Sequence, residues 1–417
     1  MIMVYGKGKT GESIVSFLKK KGIPYLWRDD KDFNEDEISK VKQIIVSPGI
    51  PFYHKIYRLS KKNQIETVGD VEFAYRLYKG KIIAITGTDG KSTTTYMTGK
   101  LLEKYNPFIG GNYGEPFIKA VEFDKKLSVL ELSSFQIYAT KTFRPNIGVL
   151  LNISTDHLDW HKRKSHYLLS KYKMFKRMSK LNTAIMNFDQ EIIRKARINA
   201  KKLYFSLEKL PSGYEGIYLC SNSLVFNVNR TLGKIDISDF KLKGEHNIQN
   251  LMASVLTALI EGIPIHVIEE QISELEALPY RIQFLKRING VLFYNDSKST
   301  TVQSVIKAVK SFNDRKINLI IGGIYKGGDF SELKKFRNIK KIYIIGKDKY
   351  VLMHMLKTHF SSISLKNSLE EAIKDAYLNA EIGDVVLFSP GCSSFDMFKN
   401  YKERGEFFNK LVEKLSK

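Results

Sequence analysis

The chain has little of what builds small cross-linked or membrane-embedded proteins. Only Cys220 and Cys392 stand among its 417 residues, which excludes a disulfide framework and a cysteine-built zinc site. No apolar run approaches the roughly 20 residues that span a bilayer; the longest, such as Leu251 to Ile260, stop well short. The opening MIMVYGKGKTG lacks both a long apolar stretch and a small-residue cleavage site. No secretory signal and no membrane insertion are expected, and the cytoplasm is the expected location. Acidic residues are also scarce, 44 against 67 Lys and Arg, for a net charge of +23. Nucleic-acid binders concentrate such an excess in a patch or stripe. Here the lysines are scattered, with short clusters such as Lys19, Lys20 and Lys21. The charge reads as solvated surface, or as a field for polyanionic small molecules, and nucleic acid is not an expected partner.

What is present describes a soluble globular chain: 27% charged and 43% hydrophobic residues. At about 150 residues per domain, the length suggests two to three domains. Strand-like and helix-like segments alternate almost throughout, which predicts an α/β protein with mostly parallel sheets. Three segments follow. Residues 1–78 read as a Rossmann-like amino-terminal domain and 79–277 as a P-loop ATPase-like central domain. Residues 278–417 read as a Rossmann-like carboxy-terminal domain. The stretch 201–244 suggests an antiparallel edge, a helix is expected over 93–105, and a closing helix from about Asp396.

Gly87-Thr88-Asp89-Gly90-Lys91-Ser92 follows an apolar strand, Lys81 to Ile85, and precedes a helix containing Thr93. Glycines let backbone amides wrap phosphate oxygens, and the helix amino terminus adds partial positive charge. Lys91 is placed to reach the β- and γ-phosphates and Ser92 to ligate magnesium, although only two residues separate Gly87 from Gly90. This predicts an ATP site. Gly6, Gly8 and Gly11, with Asp29 at the next strand end, match a dinucleotide fingerprint that would equally accept another nucleotide diphosphate. Glu131 ends the strand Leu127 to Leu130, where a carboxylate would hold magnesium. Asn152 to His157 also follows an apolar strand. Nothing in the chemistry of the sequence singles out Lys171.

The loop Thr86 to Ser92 resembles the shortened phosphate loop of the Mur ligases, ATP-dependent amide-bond ligases of peptidoglycan synthesis, whose three-domain order also covers the whole chain. Further blocks resemble the D-glutamate-adding members. These are Val46-Ser47-Pro48-Gly49, Gly110-Gly111-Asn112, Glu131 to Gln136, Asn152 with Asp156-His157, and Gly244 to Asn250. Leu278 to Arg281, Asn295 to Lys298 and Ser389 to Cys392 complete the set. The resemblance implies ligation of D-glutamate to UDP-N-acetylmuramoyl-L-alanine through an acyl phosphate, by a monomer using ATP and two magnesium ions. It places Lys9, Asp29, Asp30, Ser47 and Gly49 on the UDP part, with Asn112 and Ser133 near the acyl group. Gly87, Thr88, Asp89, Gly90, Lys91, Ser92, Thr93, Asn247, Asn250, Arg281 and Asp296 would hold ATP. Ser92, Glu131, His157 and a carbamylated Lys171 would serve the metals, and Lys91, Lys171, His157 and Glu131 the catalysis. Thr300, Lys298, Lys326, Ser394 and Tyr401 would receive D-glutamate. Asp89, Trp160, Tyr280, Phe395 and Tyr401 depart from the residues common at those positions. The alternatives are a sister ligase adding another amino acid, a nicotinamide-dependent oxidoreductase using the Gly6 turn, and a basic nucleic-acid-binding NTPase.

Overall fold

The computed structural model describes residues 1–154 and 158–415. Its chain divides into two compact units, Met1–Leu275 and Glu276–Lys417. No described helix is long and apolar enough to cross a membrane. Unit one carries two sheets. The first is parallel, β1 (Ile2–Tyr5), β2 (Tyr25–Arg28), β3 (Gln43–Val46) and β4 (Glu66–Gly69), in the order β2-β1-β3-β4. The second opens with β5 (Lys81–Thr86), β6 (Phe108–Gly111), β7 (Leu127–Glu131) and β8 (Ile147–Leu150). It continues through β9 (Thr183–Asn187), β10 (Lys201–Ser206), β11 (Gly216–Cys220), β12 (Ser223–Val228) and β13 (Thr231–Asp236). The order is β13-β12-β11-β10-β9-β8-β5-β7-β6.

Strands β7 and β8 are buried along their whole length, the mark of parallel strands covered on both faces. The expected antiparallel edge is shorter than 201–244. Strand β10 still pairs in parallel with both β9 and β11, and only the β11-β12 and β12-β13 pairings are antiparallel, each joined by a tight turn. The expected helix over 93–105 is also displaced. It runs Lys91–Leu101, and Glu103–Tyr105 forms a separate 3-10 turn.

Unit two is one six-stranded sheet. Strands β14 (Gln283–Ile288), β15 (Val291–Asn295), β16 (Ile317–Gly322), β17 (Ile339–Ile345), β18 (Ile363–Leu365) and β19 (Val385–Gly391) lie in the order β14-β15-β19-β16-β17-β18. All pairings are parallel except β14 against β15. That hairpin turns on Asn289-Gly290, both left-handed, the pair that matches a two-residue turn to strand twist. The closing helix begins at Tyr401 rather than Asp396, because the Asn400 side chain accepts from the amides of Lys402 and Glu403 and caps it there.

The two sheets of unit one share a core. Val71, Phe73 and Ala74, from the helix Asp70–Leu77, pack with Val4, Ile14 and Leu18 of the first sheet's layer. The same cluster includes Ile82, Ala84, Phe117 and Leu130 of the second. The fully buried Glu72 pins this seam by accepting from Lys141 N, Thr142 N and Phe143 N at 2.7, 2.9 and 3.1 Å, and from Arg76 Nε. Burial pushes its acidity the other way, but these donors hold its carboxyl below the usual range.

Asp70 contrasts with it. Its Oδ2 accepts from Gln136 Nε2 at 3.1 Å, while Oδ1 is buried without a hydrogen-bond partner among the described residues, and burial raises the group to about 6. A carboxyl whose folded value exceeds its unfolded value of about 3.9 contributes most stability below that pH. The contribution declines as pH rises to about 6, by on the order of 3 kcal/mol for a shift of this size. Asp70→Asn keeps an acceptor for Gln136 but cannot ionise, so it should melt higher relative to wild type at pH 7.5 than at pH 4.5. An equal difference at both pH values would contradict this.

Candidate active site

The phosphate loop leaves the carboxyl end of β5, and Gly90 adopts a left-handed conformation (φ 80°) to start the helix Lys91–Leu101. A Cβ there would meet Asn250 Oδ1 at 2.2 Å, so the position demands glycine twice over. The loop is braced from behind. Thr88 N and Asp89 N donate to Asn152 O and Oδ1 at 2.9 and 2.8 Å, and Thr94 Oγ1 donates to Asn250 Oδ1 at 3.1 Å. Asn250 is buried and Asn247 lies beside it. Asn250 therefore supports the loop directly, and Asn247 accepts from Asn250 Nδ2 at 3.4 Å. Ser92 and Thr93 are buried in the first helical turn.

Two ammonium groups converge on one carbonyl oxygen at this loop. Lys91 Nζ donates to Gly87 O at 3.0 Å and Thr88 O at 2.8 Å, and Lys171 Nζ donates to Gly87 O at 2.7 Å. Lys171 is only 1% exposed, although the sequence offered no chemical reason to bury it. It lies 4.6 Å over the ring of Tyr167, whose hydroxyl is 3.0 Å from Thr88 Oγ1. Sequence reading missed Tyr167. Its signal was the spacing of four from Lys171, which puts both on one face of the helix Lys164–Tyr172.

Glu131 ends β7, in register with Ile85 of β5. It is 2% exposed. Its Oε1 accepts from Asn112 Nδ2 at 2.6 Å, and its buried Oε2 has no hydrogen-bond partner among the described residues. An unsatisfied buried carboxylate oxygen is costly unless a cation or donor completes it. Ser133 caps the helix Ser134–Tyr138 in a capping box with Gln136, so its hydroxyl has a structural role. Sequence reading also missed His161, whose Nε2 lies 2.8 Å from Ser134 Oγ and whose Nδ1 lies 3.1 Å from His166 Nδ1. Trp160 packs among Phe52, Phe135 and Tyr138. Asp156 and His157 lie outside the described residues.

The first sheet makes its crevice where β1 is followed on one side by β2 and on the other by β3, the switch point at which open sheets take ligands. Gly6 and Gly11 touch there: a Cβ on Gly11 would lie 2.0 Å from Gly6 O. Ser47 Oγ reaches Gly6 O at 3.4 Å, and Gly49 follows in the same loop. Asp29 Oδ1 accepts from Lys31 N, whereas Asp30 Oδ1 takes Tyr5 OH at 2.7 Å and His54 Nε2 at 2.8 Å. Lys9, exposed on the helix Lys9–Lys20, bonds to Glu115 and Gly114 O.

In unit two, Asp296 is a buried knot. It accepts from the hydroxyls of Ser299 and Ser389 and from Ile282 N, and burial raises its carboxyl to about 6. The nearby charge of Arg281 opposes that rise. Lys298 Nζ sits 3.9 Å over the ring of Tyr401, and Lys326 Nζ 5.7 Å over that of Phe395. Ser394 is buried, and Thr300 is partly exposed.

Residues 85–258 match the Mur ligase middle domain, and residues 280–392 match the Mur ligase glutamate ligase domain. The chain is 41% identical to the UDP-N-acetylmuramoylalanine–D-glutamate ligase of Aquifex aeolicus, over 99% of this chain and 98% of that one. The chain belongs to the Mur ligase family. A second Mur ligase of the same description, from a Hydrogenobaculum species, is also 41% identical over the same shares. Among solved structures, MurF ligase from Thermotoga maritima in complex with ADP has a TM-score of 0.62 at 20% identity, covering 99% of this chain and 95% of that one. UDP-N-acetylmuramate-alanine ligase MurC from the same organism has a TM-score of 0.63 at 15% identity, over 99% of both chains. These neighbours share the Mur ligase fold.

Proposed function

We propose that this Mur ligase joins D-glutamate to UDP-N-acetylmuramoyl-L-alanine at the expense of ATP, as a cytoplasmic enzyme of peptidoglycan synthesis. The convergence of Lys91 and Lys171 on the Gly87 carbonyl, beside the half-satisfied Glu131, carries the phosphoryl-transfer half of the reading. The full-length relatives carry the choice of amino acid.

A carboxylate is a poor electrophile, so its oxygen first attacks the γ-phosphorus of ATP, forming an acyl phosphate and releasing ADP. The amine of glutamate then attacks the acyl carbon, and inorganic phosphate leaves as the amide forms. The first transfer depends on position and on neutralised charge more than on covalent help. The loop amides and the Lys91 ammonium supply donors at the phosphates, and the asparagine braces hold them still. Tyr167 fixes the loop through Thr88 and lies under Lys171. The unpartnered Oε2 of Glu131 and the buried hydroxyl of Ser92 fit a magnesium ion, with His157 and a carbamylated Lys171 assigned to a second. Magnesium bound there would screen the phosphate charge during transfer. In unit two, Lys298, Thr300, Lys326, Ser394 and Tyr401 are assigned to the amino acid, and Arg281 and Asp296 to the nucleotide. Residues 1–78 are assigned to the UDP part, through Lys9, Asp29, Asp30, Ser47 and Gly49, with Asn112 and Ser133 near the acyl group.

A site built to pair two carboxylates leaves its donors unsatisfied when alanine enters. Phosphate release with UDP-N-acetylmuramoyl-L-alanine should therefore favour D-glutamate over D-alanine, L-alanine and a diamino acid by at least about a thousandfold in kcat/KM. Equal turnover of D-glutamate and L-alanine would refute the assignment.

A further inference from the structure

Arg404 is the largest fully buried side chain described in the molecule, and it belongs to the closing helix Tyr401–Lys414. In sequence it sits within Lys402-Glu403-Arg404-Gly405-Glu406, which reads as a solvated helix face. Its guanidinium instead turns inward and makes three directed bonds. Nε donates to Ser297 Oγ at 3.1 Å, Nη2 to Ser297 O at 2.9 Å, and Nη1 to Cys392 O at 3.1 Å. Burial lowers its basicity to about 10, so it remains charged at neutral pH. A buried cation is costly to keep when an apolar side chain would fill the space. It is kept where a planar fork of donors must hold separate acceptors in fixed relation.

The acceptors belong to two loops, and each loop is tied onward. Ser297 Oγ donates to Tyr401 O at 2.9 Å, and Ser297 N to Asn295 Oδ1 at 3.0 Å. The loop after Cys392 pairs with a third: Ile324 N donates to Ser393 O at 3.0 Å and Ser393 N to Ile324 O at 2.9 Å. One guanidinium therefore registers segments 295–300, 391–394 and 324–326. These bear Lys298, Thr300, Ser394 and Lys326, and Tyr401 lies one turn before Arg404 on the helix.

We propose that Arg404 is a positioning residue for the amino-acid substrate, setting the relative placement of the three loops that receive it. This rests on the assignment of those residues under the proposed function. Asp296 lies on the same stretch but has anchors of its own in Ser299, Ser389 and Ile282 N, so the nucleotide side should be spared.

The test is steady-state kinetics on the full chain for wild type, Arg404→Met and Arg404→Lys, varying each of the three substrates and recording the melting temperature. Small displacements of binding groups cost about 10- to 100-fold. Arg404→Met should raise the KM for D-glutamate at least about tenfold and Arg404→Lys less, while the KM for ATP and for the UDP substrate stay within about twofold. An unchanged KM for D-glutamate in either folded variant would overturn the proposal, as would equal changes in all three KM values. Should Arg404→Met fail to fold, Arg404→Lys decides on the same criterion. A wild type that consumes no D-glutamate would instead overturn the proposed function on which the inference stands.

Discussion

Lys91→Ala is expected to lower phosphate release at least about a thousandfold while the melting temperature changes by no more than a few degrees. The side chain begins a helix at the loop and is partly exposed, and its ammonium donates to Gly87 O and Thr88 O. Under the proposed function, removing it takes away charge at the phosphates and leaves the Asn152 and Asn250 braces in place. Lys91→Arg keeps the charge but carries it on a bulkier planar group, and should recover little activity. A Lys91→Ala enzyme retaining more than about a tenth of wild-type activity would remove the loop from the reaction, because one oxyanion-type donor alone is worth about 100- to 1,000-fold.

Lys171→Ala should be nearly as damaging, and for a different reason. Two ammonium groups on the single Gly87 carbonyl repel each other, at a site that the proposed function also assigns to magnesium. If the Lys171 amine adds carbon dioxide and sheds a proton, the resulting carbamate is an anion. Repulsion from Lys91 becomes attraction, and two oxygens become available to a hard cation. The expected result is a loss of at least about a hundredfold in kcat for Lys171→Ala, with partial recovery in a small carboxylic acid that occupies the vacated space. Bicarbonate depletion should slow wild type but not the rescued variant, and intact-mass measurement under carbon dioxide should show the adduct on wild type alone. A Lys171→Ala enzyme at the wild-type rate would show that the buried amine only supports the loop.

The phosphate loop was legible because its signal is local. A strand, two glycines, a lysine and a helix start lie within a dozen residues, and backbone geometry requires glycine at position 90 whatever surrounds it. Glu131 was legible for the same reason, as a carboxylate closing an apolar strand. Lys171 and Arg404 were not, because burial of a cation is a tertiary property. Both sit in helices whose sequence is polar, among 67 basic residues most of which face water. Only the resemblance picked out Lys171, and nothing picked out Arg404. Strand β14 was not read from the sequence. Its half-exposed edge pattern carries weak alternation, and its register shifts between Phe284 and Lys286. The seam at Glu72 was equally hidden, since its partners Lys141, Thr142 and Phe143 lie some seventy residues away. The second metal assignment rests on His157, outside the described residues, and on Lys171, which the fold buries against the Gly87 carbonyl.

The most direct measurement follows the oxygen of the accepting carboxylate. UDP-N-acetylmuramoyl-L-alanine labelled with oxygen-18 in its terminal carboxylate should be incubated with the chain, ATP, magnesium and D-glutamate, and phosphate and product analysed by mass. Attack of that carboxylate on ATP, followed by amide formation, predicts one labelled oxygen in each phosphate released and one retained in a product extended by D-glutamate. Unlabelled phosphate, or phosphate release without that product, would contradict ligation through an acyl phosphate at this site.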